Sequence, residues 1–296
     1  MDMQTNNLEF YKVRTVGERF AVAGDFVRQN WKLLLRNIVY IGAPLAIVSG
    51  YFSQEYVTGA LDNVASGDYE ASFVVNALLC TFLMVCLQLF LFSMTGAILY
   101  QYTQNKLRED SSWKDLRGDM FFIMGKLFVL GLILTLMIAV ILLVVVVLFY
   151  ILGFNSAFIA SLSMLSLLGI CIALIPSLMM AQQPIIFERE SAWRSLVKGM
   201  RLGFKNWGAV FLTLLLGGVL LMIFSYFLAM PYYVYLMVHI EGGGGFLGYV
   251  LAAMASLGTV IAYPLYIIFV GLQYTSIVEK EEGISLQNKI DDFDQL

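Results

Sequence analysis

The longest stretch without a charged side chain constrains this chain more than any other feature. Residues 127–187 contain no Asp, Glu, Lys or Arg in 61 positions. A helix needs about 20 mostly apolar residues to cross the hydrocarbon core of a bilayer, so this stretch is too long for a single span. It is interrupted at 153–156 by Gly-Phe-Asn-Ser, a sequence that favours a turn. The stretch therefore predicts two consecutive membrane-spanning helices.

The composition excludes most other classes of protein. Of the 296 residues, 60% are hydrophobic and 13% are charged, whereas soluble domains have about 45–50% and about 25% respectively. The chain has only 3 cysteines, which excludes a disulfide scaffold. Segments such as 138–147 are apolar on every face, which is typical of a membrane helix and not of a β-barrel strand. We therefore expect an all-α integral membrane protein.

Similar apolar segments predict six transmembrane helices in all. Residues 71–105 are also uncharged, and between 206 and 278 the only Asp, Glu, Lys, Arg or His residues are His239 and Glu241. Four consecutive glycines at 242–245 divide this last segment into two helices. The predicted spans cover about 33–52, 73–100, 127–151, 156–181, 207–238 and 246–274.

The distribution of basic residues predicts the orientation. All 18 Lys and Arg residues lie in the N-terminal segment, the second loop, the fourth loop or the C-terminal tail. The three opposite loops contain no basic residue and five acidic ones, namely Glu55, Asp62, Asp68, Glu70 and Glu241. Short loops rich in Lys and Arg stay on the cytoplasmic side of a membrane. We therefore expect both termini, including the polar tail at 279–296, to be cytoplasmic.

Three parts of the chain resemble one another, which indicates an internal repeat. Residues 112–116 (Ser-Trp-Lys-Asp-Leu) match residues 192–196 (Ala-Trp-Arg-Ser-Leu) at an offset of 80. The sequence Gln-Tyr-Thr at 101–103 recurs at 273–275. The chain is thus predicted to form one membrane domain of three units, each an amphipathic helix followed by a transmembrane hairpin. The units cover about 13–105, 106–185 and 186–278.

We call the amphipathic helix that opens each unit its leading helix. Each has apolar residues every three or four positions, as in helices that lie at a membrane surface. These positions are Val16, Phe20, Ala23, Val27, Trp31 and Leu34 in the first, Trp113, Leu116, Met120, Ile123 and Leu127 in the second, and Trp193, Leu196 or Val197, Met200, Phe204 and Trp207 in the third. Thr15 with Glu18, and Ser112 with Asp115, fit a capping box at a helix N-terminus.

The leading helices have two interpretations. They lie in the headgroup region and guide insertion, or they bind a partner protein or a specific anionic lipid. The candidate residues for a lipid or partner interface are the basic and Trp side chains of these helices, namely Arg28, Lys32, Arg36, Trp113, Lys114, Arg117, Trp193, Arg194, Lys198, Arg201 and Lys205.

Amide side chains inside or near the spans form a second group of candidates. Gln88 and Asn76 are predicted to be the most buried amides and to seek interhelical partners. Gln101, Gln182 and Gln273 occupy corresponding places near the cytoplasmic face. They either make ordinary interhelical hydrogen bonds or together surround a polar vestibule.

The N-terminal sequence also resembles a known family. Arg14-Thr15-Val16-Gly17-Glu18, followed by Phe26 and by Asn30-Trp31, is similar to the opening of the membrane domain of some bacterial glycerophosphoryl diester phosphodiesterases and of related stand-alone six-span proteins. This resemblance implies residence in the bacterial inner membrane. It implies no catalytic residue, because the soluble phosphodiesterase barrel with its paired His and acidic metal ligands is absent from this sequence.

The sequence contains few residues of the kinds that form catalytic or metal-binding sites. A single histidine, His239, excludes a His-pair zinc site, and Cys80, Cys86 and Cys171 do not form a Cys-x-x-Cys pair. We expect no metal, no cofactor and no nucleic acid. The leading hypothesis is a non-enzymatic scaffold or assembly factor that binds membrane lipids or another membrane protein. The alternative is a carrier or chaperone for lipids or other apolar molecules, and a lipid-modifying enzyme is a third hypothesis.

Overall fold

The computed structural model describes residues 8–66, 71–108, 110–151, 169, 172–238 and 245–284. Within these ranges every regular element is helical. The elements are α1 (Val16–Leu34), a π-helical segment (Leu35–Val39), α2 (Tyr40–Ser66), α3 (Ala71–Thr103), α4 (Trp113–Ile151), α5 (Gln183–Phe187), α6 (Ala192–Lys205), α7 (Trp207–Val238) and α8 (Phe246–Glu282).

Five helices in the described residues are long and apolar enough to cross a membrane. They are Val16–Ala60, Phe73–Thr103, Trp113–Val145, Trp207–Val238 and Phe246–Glu282. Large apolar side chains along α4, such as Leu136 and Leu143, are exposed rather than packed, as in a helix that faces lipid. The prediction of an all-α integral membrane protein is confirmed at this level.

The predicted fourth span, at 156–181, lies largely outside the described residues. Its final part belongs to the shorter apolar helical segment Ile172–Phe187, whose last turns are α5. The count of six spans and the threefold repeat therefore stay predictions.

The first leading helix is continuous with its span. α1 begins with the predicted capping box, in which the Thr15 amide donates to Glu18 Oε2 at 2.7 Å and the Glu18 amide donates to Thr15 Oγ1 at 3.4 Å. It continues into α2 through the π-helical segment, where helical hydrogen bonds are displaced. There the Asn37 side chain donates to the carbonyl oxygen of Leu33 at 3.1 Å.

The chain divides into two compact units, and α4 and α7 each contribute to both. The first unit comprises Met1–Met120 and Leu215–Leu296, and the second comprises Phe121–Leu214. In the first unit α2 crosses α8 closely, because a Cβ on Gly50 would lie 2.7 Å from the Cα of Ala253. α1 also packs on α8, with the Phe20 and Phe269 rings stacked at 3.9 Å between centroids.

In the second unit, α6 packs against Ile172–Phe187 through small residues. A Cβ on Gly199 would lie 2.2 Å from the Cα of Ala181, and one on Gly203 would lie 2.5 Å from the Cα of Ser177. The Ser195 hydroxyl donates to the Ala181 carbonyl at 2.6 Å. Small residues at such a crossing allow two helix backbones to approach closely.

Candidate functional site

The third leading helix, α6, is packed on one side and exposes large apolar and basic side chains on its other sides. Its N-cap residue is Ser191, whose hydroxyl accepts a hydrogen bond from the Arg194 amide at 3.4 Å. The small-residue face described above holds one side against Ile172–Phe187. The Trp207 indole, just beyond the helix, donates to the Ala173 carbonyl at 2.9 Å. Both contacts fix how α6 presents its remaining faces.

A row of large apolar side chains on α6 is left open. Trp193, Val197 and Phe204 are 62%, 53% and 48% exposed. Their spacing of four and seven residues places them on one side of the helix. We call these three residues the apolar stripe of α6. A soluble helix would bury such a row, so its exposure suits contact with lipid.

Exposed basic residues border the apolar stripe. Arg194, Arg201 and Lys205 are exposed, and at about 100° per residue they lie roughly 80–120° around the helix from Trp193. We call them the basic edge of α6. A helix at a membrane surface places apolar side chains among acyl chains and cations at the level of the headgroups. The apolar stripe and basic edge have this arrangement.

One predicted interface residue on α6 has a different position. The Lys198 ammonium donates to both carboxylate oxygens of Glu188, at 2.8 and 2.9 Å. The Lys198 and Glu188 side chains are only 18% and 20% exposed. This ion pair connects α6 to Glu188 in the segment that precedes it. The Arg194 side chain, in contrast, is 78% exposed, and its Nη1 lies 4.0 Å from Glu190 Oε2. Such a surface ion pair contributes little stability.

The candidate residues of the first leading helix are also exposed. Arg28, Lys32 and Arg36 all lie on the surface, and the Lys32 ammonium is 5.8 Å from the centre of the Trp31 ring. The Arg36 guanidinium donates to the Ser111 carbonyl, in the loop before α4. Asn37 donates to the same carbonyl at 3.3 Å. Arg36 therefore has a structural contact in addition to its exposure.

On the second leading helix, Lys114 and Arg117 are exposed, and Trp113 is partly exposed with its ring 6.4 Å from Phe90. The apolar positions predicted for this helix lie mostly on one buried face. Leu116, Met120, Ile123 and Leu127 are all less than 9% exposed. Large apolar side chains are also exposed on another face of this helix, since Phe121 and Phe128 are 53% and 55% exposed.

The predicted glutamines have separate surroundings. Gln101 donates to Asp119 Oδ2 at 2.8 Å and to the Asp115 carbonyl at 3.1 Å. It also lines a polar cavity of about 550 Å³ with Lys106 and Arg108. Gln273 is fully buried and accepts a hydrogen bond from Arg19, and Gln182, half-buried, lies in the second unit. The shared vestibule stays a prediction.

Buried arginines on α1 and before it were not predicted from the sequence. Arg19 is 7% exposed and donates to Gln273 and, at 2.8 Å, to the Arg14 carbonyl. The Arg14 amide donates to Ser276 Oγ at 3.0 Å, and its guanidinium donates to Phe10 O. Burial lowers the pKa of Arg14, although nearby Glu9 and Glu18 oppose that shift. The one sequence signal was the repeated Gln-Tyr-Thr at 273–275, which marks this end of α8.

The two amides that we expected to be most buried are not so in the structure. Gln88 is exposed and Asn76 is half-buried, whereas Asn37, Gln54 and Gln183 are almost completely buried. Hydropathy finds a polar residue within a span but does not tell which side of the helix faces its neighbours. The expectation for Gln88 was therefore wrong.

Among the described residues no group of three or more His, Cys, Asp or Glu side chains could hold a metal ion. His239, Glu241, Asp68, Glu70 and Cys171 lie outside the described residues.

Comparisons with protein families, with curated proteins and with solved structures found no match to this chain. The resemblance to the phosphodiesterase membrane domain therefore stays a prediction.

Proposed function

We propose that this chain is a non-enzymatic membrane scaffold that binds anionic lipid through its leading helices, and through α6 above all. The observation that carries the proposal is the pairing of the exposed apolar stripe with the basic edge on one rigidly packed helix. In this proposal the protein resides in the bacterial inner membrane, has six spans in three repeated units, and has both termini in the cytoplasm.

Charge placement supports lipid rather than protein as the main partner. The inner leaflet carries anionic headgroups, and each Lys or Arg near such a surface contributes about 1 kcal/mol of attraction. The Lys and Arg residues of the chain flank the predicted spans on one side only. An open row of Trp, Val and Phe beside those charges matches the boundary between headgroups and acyl chains.

The test compares two double variants with the same loss of charge. Arg194→Gln/Arg201→Gln removes two cations from the basic edge, and Lys12→Gln/Lys280→Gln removes two exposed cations elsewhere. Each protein is placed in nanodiscs of equal phosphatidylglycerol and phosphatidylcholine, and the co-purified lipids are counted by native mass spectrometry. We expect the first variant to lose about three- to tenfold of its preference for phosphatidylglycerol, and the second to keep most of it.

Equal lipid preference in the wild type and both variants would overturn the proposal. Equal losses in both variants would mean that net charge, and not the α6 surface, attracts the lipid. Stoichiometric recovery of one protein partner that depends on Arg194 and Arg201 would assign the same surface to a protein interface instead.

A specific observation also favours the alternative, a carrier of lipids or other apolar molecules. Two apolar clefts of about 300 and 210 Å³ lie against α1 and α8 in the first unit. Phe20, Gly24 and Phe269 line the larger cleft, and Trp31 and Pro264 line the smaller one. Clefts of this kind, at membrane depth, could hold an acyl chain.

Filling the larger cleft tests the carrier function. A Cβ on Gly24 meets nothing within 4 Å, so Gly24→Leu should extend into the cleft, and Gly17→Leu is the control on the same helix. Transfer of a fluorescent phospholipid between vesicles should fall at least twofold for Gly24→Leu only. A wild-type protein that does not accelerate transfer would exclude the carrier function.

A further inference from the structure

A cavity among α2, α3, α7 and α8 in the first unit has no role in the function proposed above. Its volume is about 370 Å³, within the range of about 300–1,000 Å³ that is usual for small-molecule sites. Its lining includes Ser53 of α2, Met84 of α3, Tyr226 and Tyr232 of α7, and Ser256 and Thr259 of α8. The cavity thus lies within the membrane-spanning part of four helices.

Tyr232 is the unusual side chain of this cavity. It is 6% exposed, and its hydroxyl has no hydrogen-bond partner among the described residues. A buried hydroxyl without a partner costs about 1–3 kcal/mol, so an acceptor in the cavity would be stabilising. The hydroxyl of Thr259 already donates to the Ser256 carbonyl at 2.7 Å. The lining also contains the hydroxyls of Ser53, Ser225, Ser256, Tyr226 and Tyr233. Among the lining residues, Tyr232 is the one whose buried hydroxyl lacks a partner among the described residues.

The chemistry of the lining restricts the ligand. The described lining contains no charged side chain, which disfavours a headgroup and favours an uncharged, mostly apolar group. Met222, Tyr226 and Tyr233, which also line the cavity, are 58%, 55% and 44% exposed. The cavity is consequently open beside exposed apolar surface of α7, where acyl chains surround a membrane protein.

Depth restricts the ligand further. At about 1.5 Å per residue, Leu221 lies about 21 Å and Tyr232 about 37 Å along α7 from Trp207. The hydrocarbon core is about 30 Å thick, and the interfacial regions extend it to about 40–45 Å. With Trp207 at one interface, the cavity extends from the hydrocarbon core to the opposite interface. The ester carbonyls of membrane lipids lie at this boundary.

We propose that this cavity binds one acyl chain of a membrane phospholipid, and that the ester carbonyl of that chain accepts a hydrogen bond from the Tyr232 hydroxyl. The chain occupies the apolar part of the cavity, and the headgroup stays outside at the interface. The site is distinct from the α6 surface, because it recognises an uncharged group and contains no basic residue.

The experiment uses a pair of lipids that differ only in the carbonyl. Dioctanoylphosphatidylglycerol contains ester carbonyls, and its di-O-octyl ether analogue contains none. The affinity of the purified, delipidated full chain for each is measured by native mass spectrometry and by the thermal shift on binding. We expect the wild type to bind the ester about three- to tenfold more tightly, the size of one neutral hydrogen bond.

Three variants complete the test. Tyr232→Phe keeps the ring but should bind ester and ether equally, whereas Tyr56→Phe, on α2 and outside the cavity lining, should keep the wild-type ratio. Ala255→Leu narrows the cavity and should weaken both lipids alike, which tests the site even where Tyr232→Phe folds poorly.

Equal binding of ester and ether by the wild type would overturn the proposal, as would an unchanged ratio in Tyr232→Phe. Recovery of a quinone instead of a phospholipid from the cavity would also overturn it. The two probes have the same headgroup, so their ratio does not report on the α6 surface. Failure of this proposal is therefore distinguishable from failure of the proposed function.

Discussion

Among single residues, Arg19 has a buried guanidinium, and a buried charge needs hydrogen-bond partners. It donates to the Gln273 side chain and to the Arg14 carbonyl, and all three residues are at least nine-tenths buried. Removing one partner of a buried charged group leaves an uncompensated charge, which is more damaging than replacing both partners by apolar groups. This contact also fixes the start of α1 against the end of α8.

The first prediction concerns this pair. Gln273→Leu should lower the free energy of unfolding by about 1.5–3 kcal/mol. Arg19→Met/Gln273→Leu should be more stable than the sum of the two single changes predicts, because no buried charge remains. Thermal unfolding of the purified protein in one detergent measures the cycle, and strict additivity would show that the two side chains do not interact.

Gln183 differs from Gln273, because its replacement should not destabilise the protein. Its side chain is fully buried and has no hydrogen-bond partner among the described residues. Gln183→Met removes an unsatisfied amide of similar volume, so thermal stability should be unchanged or higher. Gln101→Met is the matched control and should be less stable by about 1–2 kcal/mol, since Gln101 makes two hydrogen bonds. A marked loss for Gln183→Met would indicate a partner for this amide.

Single-residue surroundings are the part that the sequence predicted least well. The capping box of Thr15 and Glu18 was predicted because it depends only on neighbouring residues. The exposure of Gln88 and the burial of Gln54 were not, because an almost wholly apolar helix has no hydrophobic face that would indicate its partner side.

At the level of elements, the crossing of α6 over Ile172–Phe187 depends on small side chains. The atoms nearest to a Cβ on Gly199 are backbone atoms of Ala181 and Met180, which cannot rotate away as a flexible side chain would. Any larger residue must therefore separate the two helices. The apolar stripe and basic edge would then lose their fixed position.

Gly199→Ala tests this crossing. It should lower stability by about 1–3 kcal/mol or more, because it overpacks a backbone contact. Gly125→Ala on α4, in the same unit, is the control, since a Cβ there meets nothing within 4 Å. The control should be neutral or more stable by about 0.5–1 kcal/mol. Equal unfolding temperatures of both variants would contradict the close crossing.

The sequence predicted the long apolar helices well and their junctions less well. Runs of uncharged residues marked each span because the bilayer sets a minimum length. The sequence analysis predicted the leading helix and its span as adjoining elements, but it did not predict the π-helical segment at Leu35–Val39 that joins α1 to α2. For α6 the sequence predicted one apolar face of Trp193, Leu196 or Val197, Met200, Phe204 and Trp207. In the structure Leu196 is buried, whereas Trp193, Val197 and Phe204 are exposed. The packing of Gly199 required the structure.

For the whole molecule, the predicted orientation rests on the basic residues at one side of the predicted spans. Cysteines at Ser66 and at Lys280 test it, each in a background in which Cys80, Cys86 and Cys171 are replaced by Ala. A membrane-impermeant maleimide should label Ser66→Cys in intact cells and Lys280→Cys only after permeabilisation. Labelling of Lys280→Cys in intact cells would overturn the predicted orientation.

The proposed function requires that α6 lies at the membrane interface with its apolar stripe among acyl chains. The most direct measurement is the depth of nitroxide labels by electron paramagnetic resonance in phosphatidylglycerol-containing nanodiscs, in the same cysteine-free background. A label at Val197→Cys should be accessible to oxygen and protected from an aqueous nickel chelate. A label at Arg201→Cys should show the reverse. High nickel accessibility at both positions would place α6 in water and contradict the proposed function.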